Sequence, residues 1–205
     1  PGRHIWPSSP DRGLHWLLQE WPKIKLAAPL ATLRVFYPID GWLERMAAVT
    51  DGPTDILEQR KRAEFIRNRR ATLESMGVEF LGGASRVEIT KEIAASECMG
   101  YTCDPVRPTE GFSCSLMEAC AARSCPITTA VDAFPEVYGD TLDLVPMPLS
   151  KTAPLFRERV IRALTDKPWR DEVNGKARAL AERFTWRKAA ERMCEVLERH
   201  LALKS

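Results

Sequence analysis

The stretch PTEGFSCSLMEACAARSCPI, residues 108–127, decides the predicted fold. It follows a short apolar run, Cys98 to Cys103, which is typical of a buried strand. Leu116 and Cys120 then recur with the helical period, and Pro126 opens a further apolar segment. The stretch therefore predicts a strand–loop–helix–strand unit, in which the amide groups at the start of the helix point toward a bound anion.

Two carboxylates are set into this unit. Glu110 lies in the predicted loop and Glu118 in the predicted helix, with 7 residues between them. A purely structural explanation is available for both: Ser115 and Glu118 have the spacing of a capping box, and Glu110 has the surroundings of a solvated loop residue. The residue pattern leaves the structural and the functional interpretation open.

The pattern resembles the signature of retaining glycosyltransferases of the GT-B fold, the large family 4 group. That signature is Glu, seven residues, Glu, with Gly-Phe directly after the first Glu and small residues after the second. Here it reads Glu110-Gly111-Phe112 and then Glu118-Ala119. The resemblance extends over nearly the whole chain but covers only the nucleotide-sugar half of such an enzyme.

The resemblance implies a role for each residue of the signature. Glu118 would accept hydrogen bonds from the ribose hydroxyls of the nucleotide, and Glu110 would contact a hydroxyl of the donor sugar. The backbone N–H groups of Gly111, Phe112 and Ser113 would contact the sugar or the phosphate. Gly111 also allows close approach of the backbone.

The same resemblance implies roles for two other turns. Arg12-Gly13 corresponds to the Lys-Gly of the family, where the cation holds the donor diphosphate, and an Arg binds phosphate bidentately. A surface Arg beside Asp11 is the structural alternative. The turn from Gly82 to Arg86, which includes Gly83, would border the nucleobase.

Strands alternate with helices along the rest of the chain, which predicts an α/β fold: a Rossmann-like, doubly wound parallel sheet with C-terminal helices. The order 3-2-1-4-5-6 is the leading topology, and it brings the loops after strands 1 and 4 to one crevice. Pro22 is expected to stop the first helix, and Trp186 is expected to pack in the core. We predict six strands and three final helices, at about 4–6, 33–37, 78–81, 98–102, 126–129 and 142–145, and at 152–165, 168–182 and 185–203.

Composition excludes some classes of protein. The 205 residues include 30 basic and 28 acidic ones, so a strongly electrostatic nucleic-acid binder is not expected. No apolar run approaches the roughly 20 residues of a membrane span. The 6 cysteines contain no Cys-x-x-Cys pair, and we interpret them as reduced, structural thiols of a cytoplasmic protein. The basic residues at 60–62, 67, 69 and 70 predict a solvated face or, alternatively, a peripheral membrane contact.

We expect residues 1–205 to form one donor-binding domain, with a strand and helix core at about 3–150 and a helical segment at about 151–205. The predicted activity is transfer of a hexose-type sugar from a UDP- or GDP-linked donor to a glycan or lipid-linked acceptor. The family implies no required metal and no cofactor beyond the donor. The acceptor-binding half has no counterpart here, so we expect an excised domain, or a separate subunit that supplies the rest, and little activity alone. The alternative is a non-catalytic nucleotide-binding module that pairs with a catalytic chain.

Overall fold

The computed structural model describes residues 2–106 and 110–202. Positions 107–109, which include the start of the stretch quoted above, lie outside the described residues, as does position 203, the predicted end of the last helix. Across the described ranges the chain alternates strands and helices and then continues in three helices. The predicted α/β class is therefore confirmed.

A parallel sheet forms the centre of the fold, and within the described ranges it has five strands in the order β3-β2-β1-β4-β5. His4 of β1 pairs with Leu33 of β2 on one side and with Cys98 of β4 on the other. The order reverses between β1 and β4, as predicted. The strands are β1 (Arg3–Trp6), β2 (Thr32–Val35), β3 (Val78–Phe80), β4 (Cys98–Tyr101) and β5 (Cys125–Thr128).

The helices cover the two faces of this sheet. The chain crosses from β1 to β2 in one direction and from β4 to β5 in the other, so right-handed connections put α1 and α5 on opposite faces. Accordingly α1 contacts α7 and α3, whereas α5 contacts α4 and α8. The helices are α1 (Leu14–Ala27), α2 (Ile39–Ala47), α3 (Thr54–Ser75), α4 (Arg86–Ala95), α5 (Cys114–Ala122), α6 (Phe134–Tyr138), α7 (Leu149–Thr165), α8 (Lys167–Ala181) and α9 (Trp186–Ala202).

The predicted sixth strand at 142–145 is wrong. The N–H of Leu142 donates to the carbonyl of Tyr138 and so prolongs the end of α6. Val145 makes an isolated parallel bridge with Thr129. Pro146 follows and has no N–H with which to extend a ladder, so the pairing stops after one residue.

The predicted stop of the first helix at Pro22 is also wrong. Helix α1 continues to Ala27 with Pro22 inside it. A proline in a helix interior costs about 3 kcal/mol because it removes a hydrogen bond and crowds the preceding turn. Trp21 and Ile24 are both completely buried, and burying two such side chains is worth a comparable amount.

Trp186 does not pack in the core as expected: 91% of it is exposed. It begins α9, whose apolar side chains project from the body of the fold. The other exposed apolar residues of this helix are Met193, Val196, Leu197 and Leu201.

Candidate functional site

The loops that follow β1 and β4 contact each other at the carboxyl edge of the sheet. Gly13 has a φ of 109°, and a Cβ on it would lie 2.0 Å from the carbonyl oxygen of Thr102. The Thr102 hydroxyl donates a 2.7 Å hydrogen bond to the Gly13 carbonyl. Only glycine fits this approach, so Gly13 is required for the two loops to meet.

Glu110 lies at the centre of this contact. Its Oε2 accepts a 3.0 Å hydrogen bond from the Tyr101 hydroxyl and a 3.2 Å hydrogen bond from Nη1 of Arg12. Its backbone N–H donates to Oδ2 of Asp132 at 3.1 Å. Its side chain is only 12% exposed, so Glu110 is not an ordinary solvated loop residue. Burial raises the pKa of Tyr101 far above its ordinary value, which keeps its hydroxyl a donor.

Arg62 is a part of the site that sequence reasoning missed. Its guanidinium donates to the carbonyls of Asp104, at 2.7 Å, and Asp11, at 3.3 Å. It also lies 3.2 Å from the Asp104 carboxylate, so it ties together the loops after β1 and β4. Its position one turn before Ile66, on the buried stripe of α3, was the available signal. The prediction of a solvated or membrane-facing basic helix therefore fails for Arg62, which is buried.

Helix α5 does not use the predicted capping box. The N-cap is Ser113, whose hydroxyl accepts from the N–H of Leu116 at 3.3 Å. Glu118 therefore has no capping role, and its Oε1 is ion-paired with Arg86. Its side chain is 26% exposed. A capping box does form at the start of α4, between Ser85 and Glu88.

Of the remaining predicted site residues, Gly83, Gly111 and Phe112 are exposed, whereas Ser113 is buried. Among residues 2–106 and 110–202, a Cβ on Gly111 or on Gly83 would meet no atom within 4 Å. Phe112 is 41% exposed, and its ring centroid lies 5.7 Å from that of Phe184. The carbonyl of Ser113 accepts from the buried Tyr138 hydroxyl at 3.2 Å. Close packing against the part of the chain that the structure describes therefore requires a glycine at neither Gly111 nor Gly83.

A groove of about 660 Å³ begins at Glu118 and runs between α5 and the start of α9. Its lining is mainly apolar, and most of its charged side chains are basic. The lining residues include Arg86, Phe112, Met117, Glu118, Ala121, Arg183, Phe184, Trp186, Lys188 and Arg192.

The described residues show no arrangement typical of a metal site, a reactive buried thiol or a membrane-spanning helix. Within 2–106 and 110–202, no group of three or more His, Cys, Asp or Glu side chains is arranged to hold a metal ion. The six cysteines are free thiols, and burial raises the pKa of Cys120 and of Cys125 to about 12, which disfavours the nucleophilic thiolate. No described helix is long and apolar enough to cross a membrane.

No model of a protein family matches the sequence. No curated protein matches it either.

Solved structures do match in three dimensions. One is the pneumococcal O-GlcNAc transferase GtfA in complex with UDP and GlcNAc, with a TM-score of 0.66, 17% identity and coverage of 98% of this chain and 36% of that one. Another is Anabaena HepE in complex with UDP and glucose, with a TM-score of 0.65, 19% identity and coverage of 96% and 47%. Sucrose-phosphate synthase from Thermosynechococcus elongatus gives a TM-score of 0.66, 18% identity and coverage of 100% and 46%.

These matches establish the fold. The chain spans less than half the length of each of these three glycosyltransferases. The Rossmann-like fold that the sequence predicted is therefore confirmed. The chain therefore has the fold of part of these GT-B glycosyltransferases.

Proposed function

We propose that this chain is the donor-binding half of a retaining glycosyltransferase that takes a hexose-type sugar from a UDP- or GDP-linked donor. The observation that carries the proposal is the contact of Arg12 with Glu110 where the loops after β1 and β4 meet. Ligands of doubly wound sheets bind in this crevice, outside the carboxyl ends of the strands. Two of the similar structures are complexes with UDP and a sugar, which supports this class of ligand.

Each residue has a distinct part in the proposal. Arg12 holds the diphosphate, and its positive charge stabilises the negative charge that develops as the sugar departs. Glu110 accepts a hydrogen bond from the donor sugar, in an orientation maintained by the Tyr101 hydroxyl. Glu118 accepts from the ribose hydroxyls, because one carboxylate can accept from two neighbouring hydroxyls.

The proposal includes an acceptor-binding half that packs against α9. Trp186, Met193, Leu197 and Leu201 are each more than half exposed and recur along one side of this helix. A contiguous apolar surface of this kind is typical of a protein–protein contact. In the similar solved structures, more than half of each chain lies outside the matched region, and one of them is a GtfA/B complex. The acceptor-binding half is either a second domain or a second subunit.

A titration panel tests the proposed function. The 205-residue chain would be titrated calorimetrically with UDP, GDP, ADP and their glucose conjugates. We expect either UDP or GDP to bind, and its sugar conjugate to bind at least as tightly. A dissociation constant of about 10 mM corresponds to a binding free energy of about −3 kcal/mol. If all six ligands bind more weakly than this, the chain has no donor site.

A further inference from the structure

The turn that joins β5 to α6 holds the backbone of Glu110 on both sides of its Cα. The N–H of Glu110 donates a 3.1 Å hydrogen bond to Oδ2 of Asp132. The carbonyl of Glu110 accepts a longer one, of 3.5 Å, from the N–H of Ala133. Because the two bonds lie on opposite sides of the Cα, they limit both the position of Glu110 and the direction in which its side chain leaves the backbone.

This turn is fixed to the buried core. Phe134, which follows the turn, is completely buried. At the start of the same loop, the Thr129 hydroxyl donates a buried 2.6 Å hydrogen bond to the Cys103 carbonyl. The centroid of the Phe134 ring lies 6.2 Å from that of Tyr101, whose hydroxyl binds the Glu110 carboxylate. One part of the core therefore supports both the backbone and the side chain of Glu110.

The backbone conformation of Asp132 suggests a simpler role, as a turn residue. Its φ is 46°, in the left-handed region, where glycine is the most favourable residue. Aspartate adopts this conformation more readily than most other residues. Glycine would serve the turn at least as well, but it lacks the carboxylate that accepts from Glu110. A substitution can therefore separate the two roles.

We propose that Asp132 is a positioning residue for the donor sugar: it holds Glu110 where the Glu110 carboxylate accepts a hydrogen bond from a sugar hydroxyl. The inference rests on the proposed role of Glu110 at the donor site. Because Asp132 acts through Glu110 and not on the nucleotide, it contributes to the affinity for the sugar nucleotide and not to that for the free diphosphate. The loop after β5 is then a third loop of the site, beside those after β1 and β4.

Two substitutions separate the carboxylate of Asp132 from its backbone conformation. Asp132→Gly removes the acceptor and suits the positive φ, so its melting temperature should stay close to that of the wild type. Asp132→Asn keeps an acceptor oxygen and tolerates the same φ. Calorimetry measures the affinities for UDP and UDP-glucose, or for GDP and GDP-glucose if the guanine nucleotide binds. Asp132→Gly should weaken the sugar nucleotide about three- to tenfold and spare the diphosphate, whereas Asp132→Asn should keep most of the affinity.

A double-mutant cycle with Glu110→Gln tests whether Asp132 acts through Glu110. If it does, Asp132→Gly should weaken the sugar nucleotide in the wild-type background and have little further effect in the Glu110→Gln background. The control is Asp140→Gly, which removes an exposed carboxylate just beyond the other end of α6. It should leave the affinities for both ligands unchanged.

A measurement without ligand separates this inference from the proposed function. In Asp132→Gly, the amide hydrogen of Glu110 should exchange with solvent several-fold faster than in the wild type, as measured by NMR on the isotope-labelled chain. If no nucleotide or sugar nucleotide binds to the wild type, the proposed function fails, and the exchange rates alone decide whether Asp132 holds Glu110.

Several results would overturn the positioning role of Asp132. They are unchanged amide exchange or unchanged sugar-nucleotide affinity in Asp132→Gly, equal losses for the diphosphate and the sugar nucleotide, and an additive cycle with Glu110→Gln. An equal loss in Asp132→Gly and Asp132→Asn would also overturn it, because the effect would then come from the charge of Asp132 and not from its hydrogen bond to Glu110.

Discussion

The Glu118 carboxylate on α5 is ion-paired with Arg86, the first residue of α4. This contact joins the turn after β3 to the helix that follows the loop after β4. Arg86 is 73% exposed and Glu118 is 26% exposed. An ion pair between exposed side chains contributes about 0–1 kcal/mol to stability, so either residue can be replaced with little effect on folding.

Glu118→Gln is expected to weaken UDP binding by about tenfold or more and to leave the melting temperature of the free protein nearly unchanged. Hydrogen bonds to a charged group are worth about 1.5–3 kcal/mol, and each 1.4 kcal/mol is about a factor of ten in affinity. Calorimetry and thermal unfolding measure the two quantities. Wild-type affinity in this variant would assign Glu118 a structural role only.

Arg86→Ala is expected to raise UDP affinity, by at most about fivefold, because the ribose no longer competes with the ion pair of about 0–1 kcal/mol. The control is Arg183→Ala, which removes a positive charge from the same groove, whereas the ion-pair partner of Glu118 is Arg86. A fall in affinity in Arg86→Ala would mean that Arg86 binds the nucleotide instead of competing with it.

Glu110→Gln should weaken UDP-glucose or GDP-glucose, whichever binds, by about tenfold and spare the corresponding free diphosphate. The reason is that Glu110 is proposed to contact the sugar and not the nucleotide. Calorimetric titration of both ligands measures the difference. Glu118→Gln serves as the comparison because it should weaken both ligands. Equal losses in Glu110→Gln would contradict the assignment to the sugar.

Gly13→Ala should lower the free energy of unfolding by more than about 1 kcal/mol, because the new Cβ would overlap the Thr102 carbonyl and the backbone has a positive φ. Gly111→Ala is the matched control, since its Cβ meets no atom of the described part of the chain within 4 Å. It should leave stability nearly unchanged and weaken the sugar nucleotide. Chemical denaturation and calorimetry measure the two effects. A stable Gly13→Ala would show that the loop contact adapts.

Chelation should leave nucleotide affinity unchanged. The described residues contain no cluster suited to a metal ion, and Arg12 is proposed to provide the positive charge for the diphosphate. Titrations with UDP and GDP before and after EDTA treatment compare the affinities. A large loss that Mn²⁺ or Mg²⁺ restores would contradict a metal-independent mechanism.

The sequence predicted the elements of the fold well where local pattern determines them. The strand order follows from the alternation of strands and helices, and Gly13 and Glu110 could be placed at one crevice from that order alone. Leu142 was misjudged because its N–H donates to the Tyr138 carbonyl at the end of α6, and Pro22 because the burial of Trp21 and Ile24 keeps α1 intact around it. The segment predicted as the sixth strand continues the end of α6 and then makes one isolated bridge, and a proline is tolerated within α1.

The contacts of the candidate site were less predictable. The capping box at Ser115 matches its sequence signature, yet the chain uses Ser113, two residues earlier, because α5 begins at Cys114. Arg86 and Glu118 are 32 residues apart in sequence, and only the tertiary fold brings them together. Arg62 was grouped with its basic neighbours, although its position in the helical period differs from theirs.

The buried guanidinium of Arg62 donates hydrogen bonds to Asp11 and Asp104. It thereby connects the loops after β1 and β4. Loop residues fixed in this way before a ligand arrives, such as Asp11 and Asp104, have little conformational freedom left to lose when it binds. Ligand association at this edge should then proceed without a slow ordering step, at a rate limited by encounter and orientation. Because Arg62 connects the two loops, a motion that opens one loop would also displace the other.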